Sequence, residues 1–444
     1  MPLKATFTTG STLRHVVVMS ATGALGLMSM FMVDLIDILF LSMLAQKEVV
    51  AAVGFASSIM FFTISIGIAV SVSATAMVSR AVGRGEKELA KRRATNVLVF
   101  GILLSFLIVY FLMPRIPNLL YFLGANGITL DLATSYLQIS ILGMPAIMVG
   151  MIGSGIMRAL GDAKRAMYAT LISGLVNAVL DPILIFAFGL GLDGAAIASL
   201  IARFSMVAIA YYGLVNVHQT LSRFDWLYFS QDFKKIVFIT FPAMLTNMSS
   251  PLANALVTEH IATFGDDAVA AYSIIGRIIP VVFGGLFALS GAVGPILGQN
   301  YGANNFARMQ QTLTSAVIYS LSYCLVLCWS LYQLQYWLIE TFSASAETAS
   351  LISFFATYIS FSFFFQSLLF IAIATFNNLG SPKTSAWLNF ARATLGTWPL
   401  IIFFGWFFDA EGIFIGQALG SIIFGCLAFT LARRYIVKLE IAST

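Results

Sequence analysis

Phe31–Phe40 reads FMVDLIDILF and lies in a run, 15–44, that is otherwise almost wholly apolar. Asp34 and Asp37 are three residues apart, so on a helix they share a face. An ionised side chain at membrane depth costs ~3 kcal/mol or more, so such residues turn toward an internal cavity rather than toward lipid. A second polar pair, Asn177 and Asp181, follows at a spacing of four inside LVNAVLDPIL. The four residues predict one polar pocket that takes up a proton or a small cation and couples it to transport.

The rest of the composition agrees with a membrane location. Of 444 residues, 59% are hydrophobic and 10% charged, and the mean hydropathy is +0.92. A soluble chain of this size needs far more polar surface. Runs of about 20 apolar residues predict twelve helices, near 15–44, 51–79, 94–114, 130–159, 165–189, 192–217, 235–263, 268–298, 312–338, 349–379, 384–408 and 411–432. The first run is too long for a secretory leader and is read as a retained helix.

The net charge of +5 is a topology signal rather than a nucleic-acid footprint. Most of the 24 Lys and Arg residues fall in one set of loops, among them Arg80, Arg84, Lys91, Arg92, Arg93, Lys164, Arg165, Lys234, Lys235 and Arg308. The facing loops hold Asp131, Asp193, Asp266, Asp267, Glu340 and Glu347. The positive-inside rule then places both termini in the cytoplasm and the chain in the plasma (inner) membrane. Cys324, Cys328 and Cys426 lie in apolar runs with no acid or histidine beside them, and read as packing thiols.

The two halves repeat. Gly83 pairs with Gly302, 219 residues on, and the same offset pairs Ala51-Ala52 with Ala270-Ala271 and LGDAK (160–164) with LGSPK (379–383). A duplication implies an all-α membrane protein of two six-helix bundles, 1–217 and 236–444, joined by a cytoplasmic linker, 218–235, and related by a pseudo-two-fold axis. By the offset, Asp34, Asp37 and Asp181 meet Ala253, Leu256 and Leu400, and Asn177 meets Gly396. The scaffold therefore does not require these charges, and the N-terminal bundle alone holds the cation or proton site.

Smaller features fit that pocket. Pro182 frees a backbone carbonyl beside Asp181, and Ser154 and Ser199 sit in helices four and six as supporting hydroxyls. Gly23 and Gly26 predict a hinge in helix one, opposite Pro242 of helix seven, or a close packing contact. Arg203, Arg277 and Arg392 also fall within predicted spans, where they pair with carboxylates, line a cavity or snorkel outward. The aromatic run Phe361–Phe365 reads as lipid-facing filler, with a cavity wall as the alternative.

With these residues in place, the chain resembles the multidrug and toxic compound extrusion (MATE) antiporters. DILFLSMLA (37–45) with AAVGFA (51–56), IMRALGDAKRAM (156–167) and GQNYGANNFAR (298–308) resemble the family's segments at helix one, after helix four and after helix eight. The resemblance implies a monomeric exporter of lipophilic, mostly cationic small molecules that works among membrane lipids. Inward H⁺ or Na⁺ drives it, with no other cofactor. It matches Asp37 to the helix-one acid, Asn177 and Asp181 to the helix-five pair, and Ser199 to a helix-six hydroxyl, the set of the DinF-type branch. Helices seven and ten lack the acids of the NorM-type branch. Asp34 is an additional acid, and Ser42 and Ala45 stand where the family has turn glycines.

Two other classes share part of this pattern. A lipid-linked oligosaccharide flippase of the same superfamily would use the three span arginines on a pyrophosphate head group, whereas an acidic pocket favours cationic cargo. An intramembrane enzyme would need a nucleophile–base or metal pair, and the sequence has no H-E-x-x-H or G-x-S-x-G pattern.

Overall fold

In hydrocarbon a backbone must satisfy its own hydrogen bonds, so apolar runs of this length fold as helices. The computed structural model describes residues 4–44 and 47–443, without the side chains of Ser250 and Leu252. The turn position Ala45 lies outside the described residues.

The helices are α1 (Thr12–Ser42), α2 (Lys47–Gly83), α3 (Lys87–Leu112), α4, α5 (Ala163–Ala187) and α6 (Gly191–Val217). They continue with α7 (Trp226–Ile261), α8, α9 (Phe306–Thr341), α10, α11 and α12. Three of these are broken. α4 bends by 48° between Gly127–Leu142 and Met144–Ala159, and α8 bends by 46° between Asp266–Val282 and Gly284–Gly302. α10 runs from Ala346–Phe354 through a widened turn, Phe355–Ile359, into Ser362–Leu379. The last helical stretch, Pro382–Ile441, leaves helical geometry at Phe408 and Asp409, which separates α11 (382–407) from α12 (410–441).

Local chemistry sets the starts. The side chains of Asp162, Asn305 and Ser345 accept the backbone N–H three residues on, 3.2 Å away in each case, and so cap α5, α9 and α10. Left-handed turn residues recur at the repeat offset: Gly85 with Asn304, Gly124 with Ser343, and Gly161 with Gly380. Equivalent loops therefore share a backbone shape even where the side chains differ.

Packing divides the chain into two units. The first holds Leu25–Thr240; the second holds Thr6–Ala24 and the chain from Phe241 onward. Each unit thus includes the leading half of a helix whose remainder belongs to the other. In the first unit, Phe229, Ile236 and Ile239 of α7 join the core built by α2, α3 and α4. Asp232 is fully buried there, held by Arg92 at 3.3 Å and by the Asn96 amide at 2.9 Å. The start of α7 is therefore an amphipathic helix that hides its one inward acid. The second half of the segment 218–235 is thus helical, from Trp226.

The second unit treats the N-terminal segment in the same manner. Arg308 donates to the carbonyls of Phe7, Thr9 and Gly10, while Gln299 accepts from the Phe7 N–H at 2.8 Å. α1 is continuous from Thr12 to Ser42, with Gly23 and Gly26 on either side of the division. A Cβ at Gly26 would lie 2.7 Å from Thr170 Oγ1, and one at Gly23 3.1 Å from Ala288 Cβ, so both glycines serve close packing here.

In the aromatic run Phe361 is exposed, whereas Phe363, Phe364 and Phe365 are half-buried. Phe363 stacks on Phe283 at 4.2 Å, because the breaks in α8 and α10 bring these rings face to face. Cys324 and Cys328 approach to 3.6 Å within an apolar cluster. Bulky side chains such as Trp387 and Trp406 stand exposed, as a lipid-facing surface requires.

Candidate functional site

α5 carries Asn177 and Asp181 one turn apart, and both face inward, at 5% and 0% exposure. The Asn177 side-chain amide gives one hydrogen to Asp37 Oδ1 of α1 at 3.1 Å and the other to Asp181 Oδ2 at 2.7 Å. Its carbonyl oxygen accepts the hydroxyl of Ser199 from α6 at 3.0 Å. Three helices of the first unit thus meet on a single side chain. Asp37 and Asp181 thus flank one amide, and Asp181 Oδ1 is buried with no hydrogen-bond partner among the described residues.

A buried carboxylate oxygen without a donor carries its full desolvation cost. A proton or a cation at that oxygen removes the cost and relieves the repulsion from Asp37. The donors are two carboxylates, an amide oxygen and a hydroxyl, an all-oxygen set suited to H⁺ or a hard cation. Pro182 follows Asp181 directly, and α5 continues as a widened turn over Ile183–Ala187. The amide hydrogen that Pro182 lacks and this widening loosen the backbone beside the carboxyl.

The other sequence candidates fall outside this network. Asp34 is exposed and makes no hydrogen bond to the cluster, although its charge is felt at Asp37. Ser154 is buried on α4 with its hydroxyl unpartnered and unconnected to Asn177. Asp37 sits five residues before the end of α1, nearer that end than the helix centre.

Two further side chains lie near this cluster. Tyr136 on α4 lies within electrostatic reach of Asp37, Asp181 and Arg203, and Arg203 of α6 donates to the Ser140 carbonyl. Arg203 was visible as a charge inside a span. Tyr136 gave no signal, because one tyrosine in an apolar helix is ordinary. Among the described residues, none of Arg203, Arg277 and Arg392 forms an ion pair.

Among the described residues, nine helices, or eleven with each bent pair taken as one span, are long and apolar enough to cross a membrane, which defines an integral membrane protein. The MatE family model matches it twice, over 24–183 and 242–403, one match per repeat, and the chain belongs to that family. An FAD transporter of Shewanella oneidensis is 27% identical over 426 residues, which cover 94% of this chain and 93% of that protein. The multidrug export protein MepA of Staphylococcus aureus is 27% identical over 302 residues, 67% of this chain and 66% of that protein. VcmN, a MATE transporter of Vibrio cholerae solved with one aspartate changed to asparagine, superposes with a TM-score of 0.91. It is 26% identical and covers 96% of this chain and 97% of that one.

Proposed function

We propose that this protein is a multidrug exporter that exchanges lipophilic, mostly cationic small molecules for H⁺, with Na⁺ as the alternative coupling ion. The coupling site is Asp37, Asn177 and Asp181, with Ser199 in support and Asp34 modulating the local charge. The observation that carries the reading is the buried, unpartnered Oδ1 of Asp181, whose other oxygen shares the Asn177 amide with Asp37. In the deprotonated pocket, repulsion between Asp37 and Asp181 favours entry of a proton or cation, and negative charge favours a cationic cargo. Neutralisation removes that attraction and lets α1 and α5 repack, which releases the cargo. Because the acids lie in the first repeat, the DinF-type branch is the closer analogue. The protein works as a monomer in the inner membrane, among its lipids and with both termini cytoplasmic.

Dye efflux from proteoliposomes under separately imposed pH and Na⁺ gradients tests the coupling ion. Asp37→Asn and Asp181→Asn are expected to lower gradient-driven efflux at least tenfold with protein yield unchanged, and Asp34→Asn to lower it less. Normal gradient-driven efflux by Asp37→Asn would refute the proposed site.

A second reading rests on the relative that matches nearly the whole chain, which is named as an FAD transporter. On that reading the cargo extends to flavin dinucleotides, which carry negative charge.

A further inference from the structure

We propose that Arg392 is a phosphate-recognising residue inside the second unit, so that the cargo range includes planar, lipophilic compounds bearing a phosphate or pyrophosphate group. This rests on the exporter reading above and names a group that takes the anionic end of such a cargo.

Arg392 follows Pro382, the first residue of α11, by ten positions. At ~1.5 Å per residue that is ~15 Å along the helix, about half of a ~30 Å hydrocarbon layer. The residues on its own helical face, Ser385, Leu388, Asn389 and Gly396, are buried, whereas Trp387 and Phe390 across the helix are exposed. Leu395, three residues on, is exposed, and Arg392 itself is half-buried with its Nε enclosed.

It finds no partner there. Among the described residues its side chain makes no hydrogen bond or ion pair, and its Nε is buried and unsatisfied. A guanidinium keeps its proton throughout the physiological range. An unpaired charge at this depth costs several kcal/mol, and the fold retains it. By contrast, Arg203 donates to the Ser140 carbonyl, and Asp37 and Asp181 share the Asn177 amide. Arg158 also has an unsatisfied Nε, but it lies in the last turn of α4, where helix carbonyls face a cation.

The position is built rather than incidental. Asn389, three residues earlier, donates to the Thr246 carbonyl at 2.7 Å and to Ser249 Oγ at 2.6 Å, which pins α11 against α7. Arg392 opens a widened turn, Arg392–Thr397, and the Thr397 hydroxyl takes up the Arg392 carbonyl at 2.9 Å. Such turns recur at functional sites. Arg277 on α8, exposed and also without a paired acid, adds a second positive charge within the spans of this unit. A planar guanidinium with free donors matches phosphate oxygens in pairs.

The test uses the purified full-length protein, titrated with FAD and with riboflavin, which has the same ring system but no phosphate. In parallel the protein is placed in nanodiscs containing phosphatidic acid, and lipid retention is read by native mass spectrometry. Arg392→Gln is expected to weaken FAD binding about tenfold or more, with riboflavin unaffected and Arg392→Lys partly restoring it. Selective loss of phosphatidic acid in place of FAD would assign the phosphate to a lipid head group. A wild-type protein that binds neither phosphate probe, or an Arg392→Gln variant that binds both normally, overturns the inference. Should Arg392→Gln not fold, displacement of FAD from wild-type protein by inorganic pyrophosphate decides the matter: displacement supports the inference and its absence overturns it. Cationic-dye efflux by the wild-type protein is scored separately. Its presence without phosphate binding sinks this inference alone; its absence sinks the cationic-exporter reading and leaves phosphate binding to be judged by itself.

Discussion

Asn177 uses both amide hydrogens and its carbonyl oxygen on three different helices. Asn177→Leu keeps the volume but leaves Asp181, fully buried, with neither oxygen satisfied. The expected cost is about 1–3 kcal/mol of stability, read as a lower melting temperature in detergent, together with loss of gradient-driven efflux. Asp162, in the loop before α5, is a residue of the opposite kind. Burial alone would raise its pKa from 3.8, but hydrogen bonds from His218 and Arg165 overbalance burial and hold it at about 2. A carboxyl with a depressed folded pKa stabilises the fold above its ordinary range, and that contribution disappears as pH falls from about 4 toward 2. Asp162→Asn should therefore lose about 1 kcal/mol at pH 7, after allowance for solvent screening, and its melting temperature should fall less than wild type between pH 4 and 2. Thermal melts at three pH values check this.

At the scale of elements, small residues decide how closely helices approach. A Cβ at Gly155 of α4 would lie 2.8 Å from the Ser71 carbonyl of α2, and at Gly425 of α12 it would press on the Phe365 carbonyl of α10. Backbone atoms cannot rotate away as a side chain can. Gly425→Val is expected to destabilise the second unit by about 1–3 kcal/mol, seen as lower yield of folded protein on size exclusion. Most helix limits were legible in the sequence, because an apolar run has to span a fixed thickness. The start of α7 was not, because its charges fall in the segment read as a linker, whereas the fold turns Asp232 inward onto Arg92 and Asn96. The Asp37–Asn177–Asp181 grouping was legible because charge in an apolar run is costly wherever it falls. Tyr136 was not, since its part depends on which residues α4 brings near it. The bends of α4 and α8 do have breakers beside them, Gly143 with Pro145 and Pro280 with Gly284-Gly285, but apolar run length alone does not register them.

For the whole molecule, the duplication read from one offset reappears as paired left-handed turns and as two family matches starting at 24 and 242. The copies differ in the charges within their spans: Asp34, Asp37 and Asp181 lie in the first, and Arg277 and Arg392 in the second. The anchor at Asp232 should matter to the whole chain. Asp232→Ala strands Arg92 beside an empty site, with an expected loss of about 3 kcal/mol or more, measured as early melting. Replacing Arg92 and Asp232 together by apolar residues should recover part of it.

The reciprocal grouping of Thr6–Ala24 with the second unit, and of the chain up to Thr240 with the first, bears on how the protein is made. During synthesis the opening segment waits for Gln299 and Arg308, almost 300 residues later, before it has anything to rest on. A gene cut in the connection near 218 would encode two fragments, each with an orphaned arm, and neither fragment alone should survive quality control. Produced together, they carry all the pieces needed to complete one another.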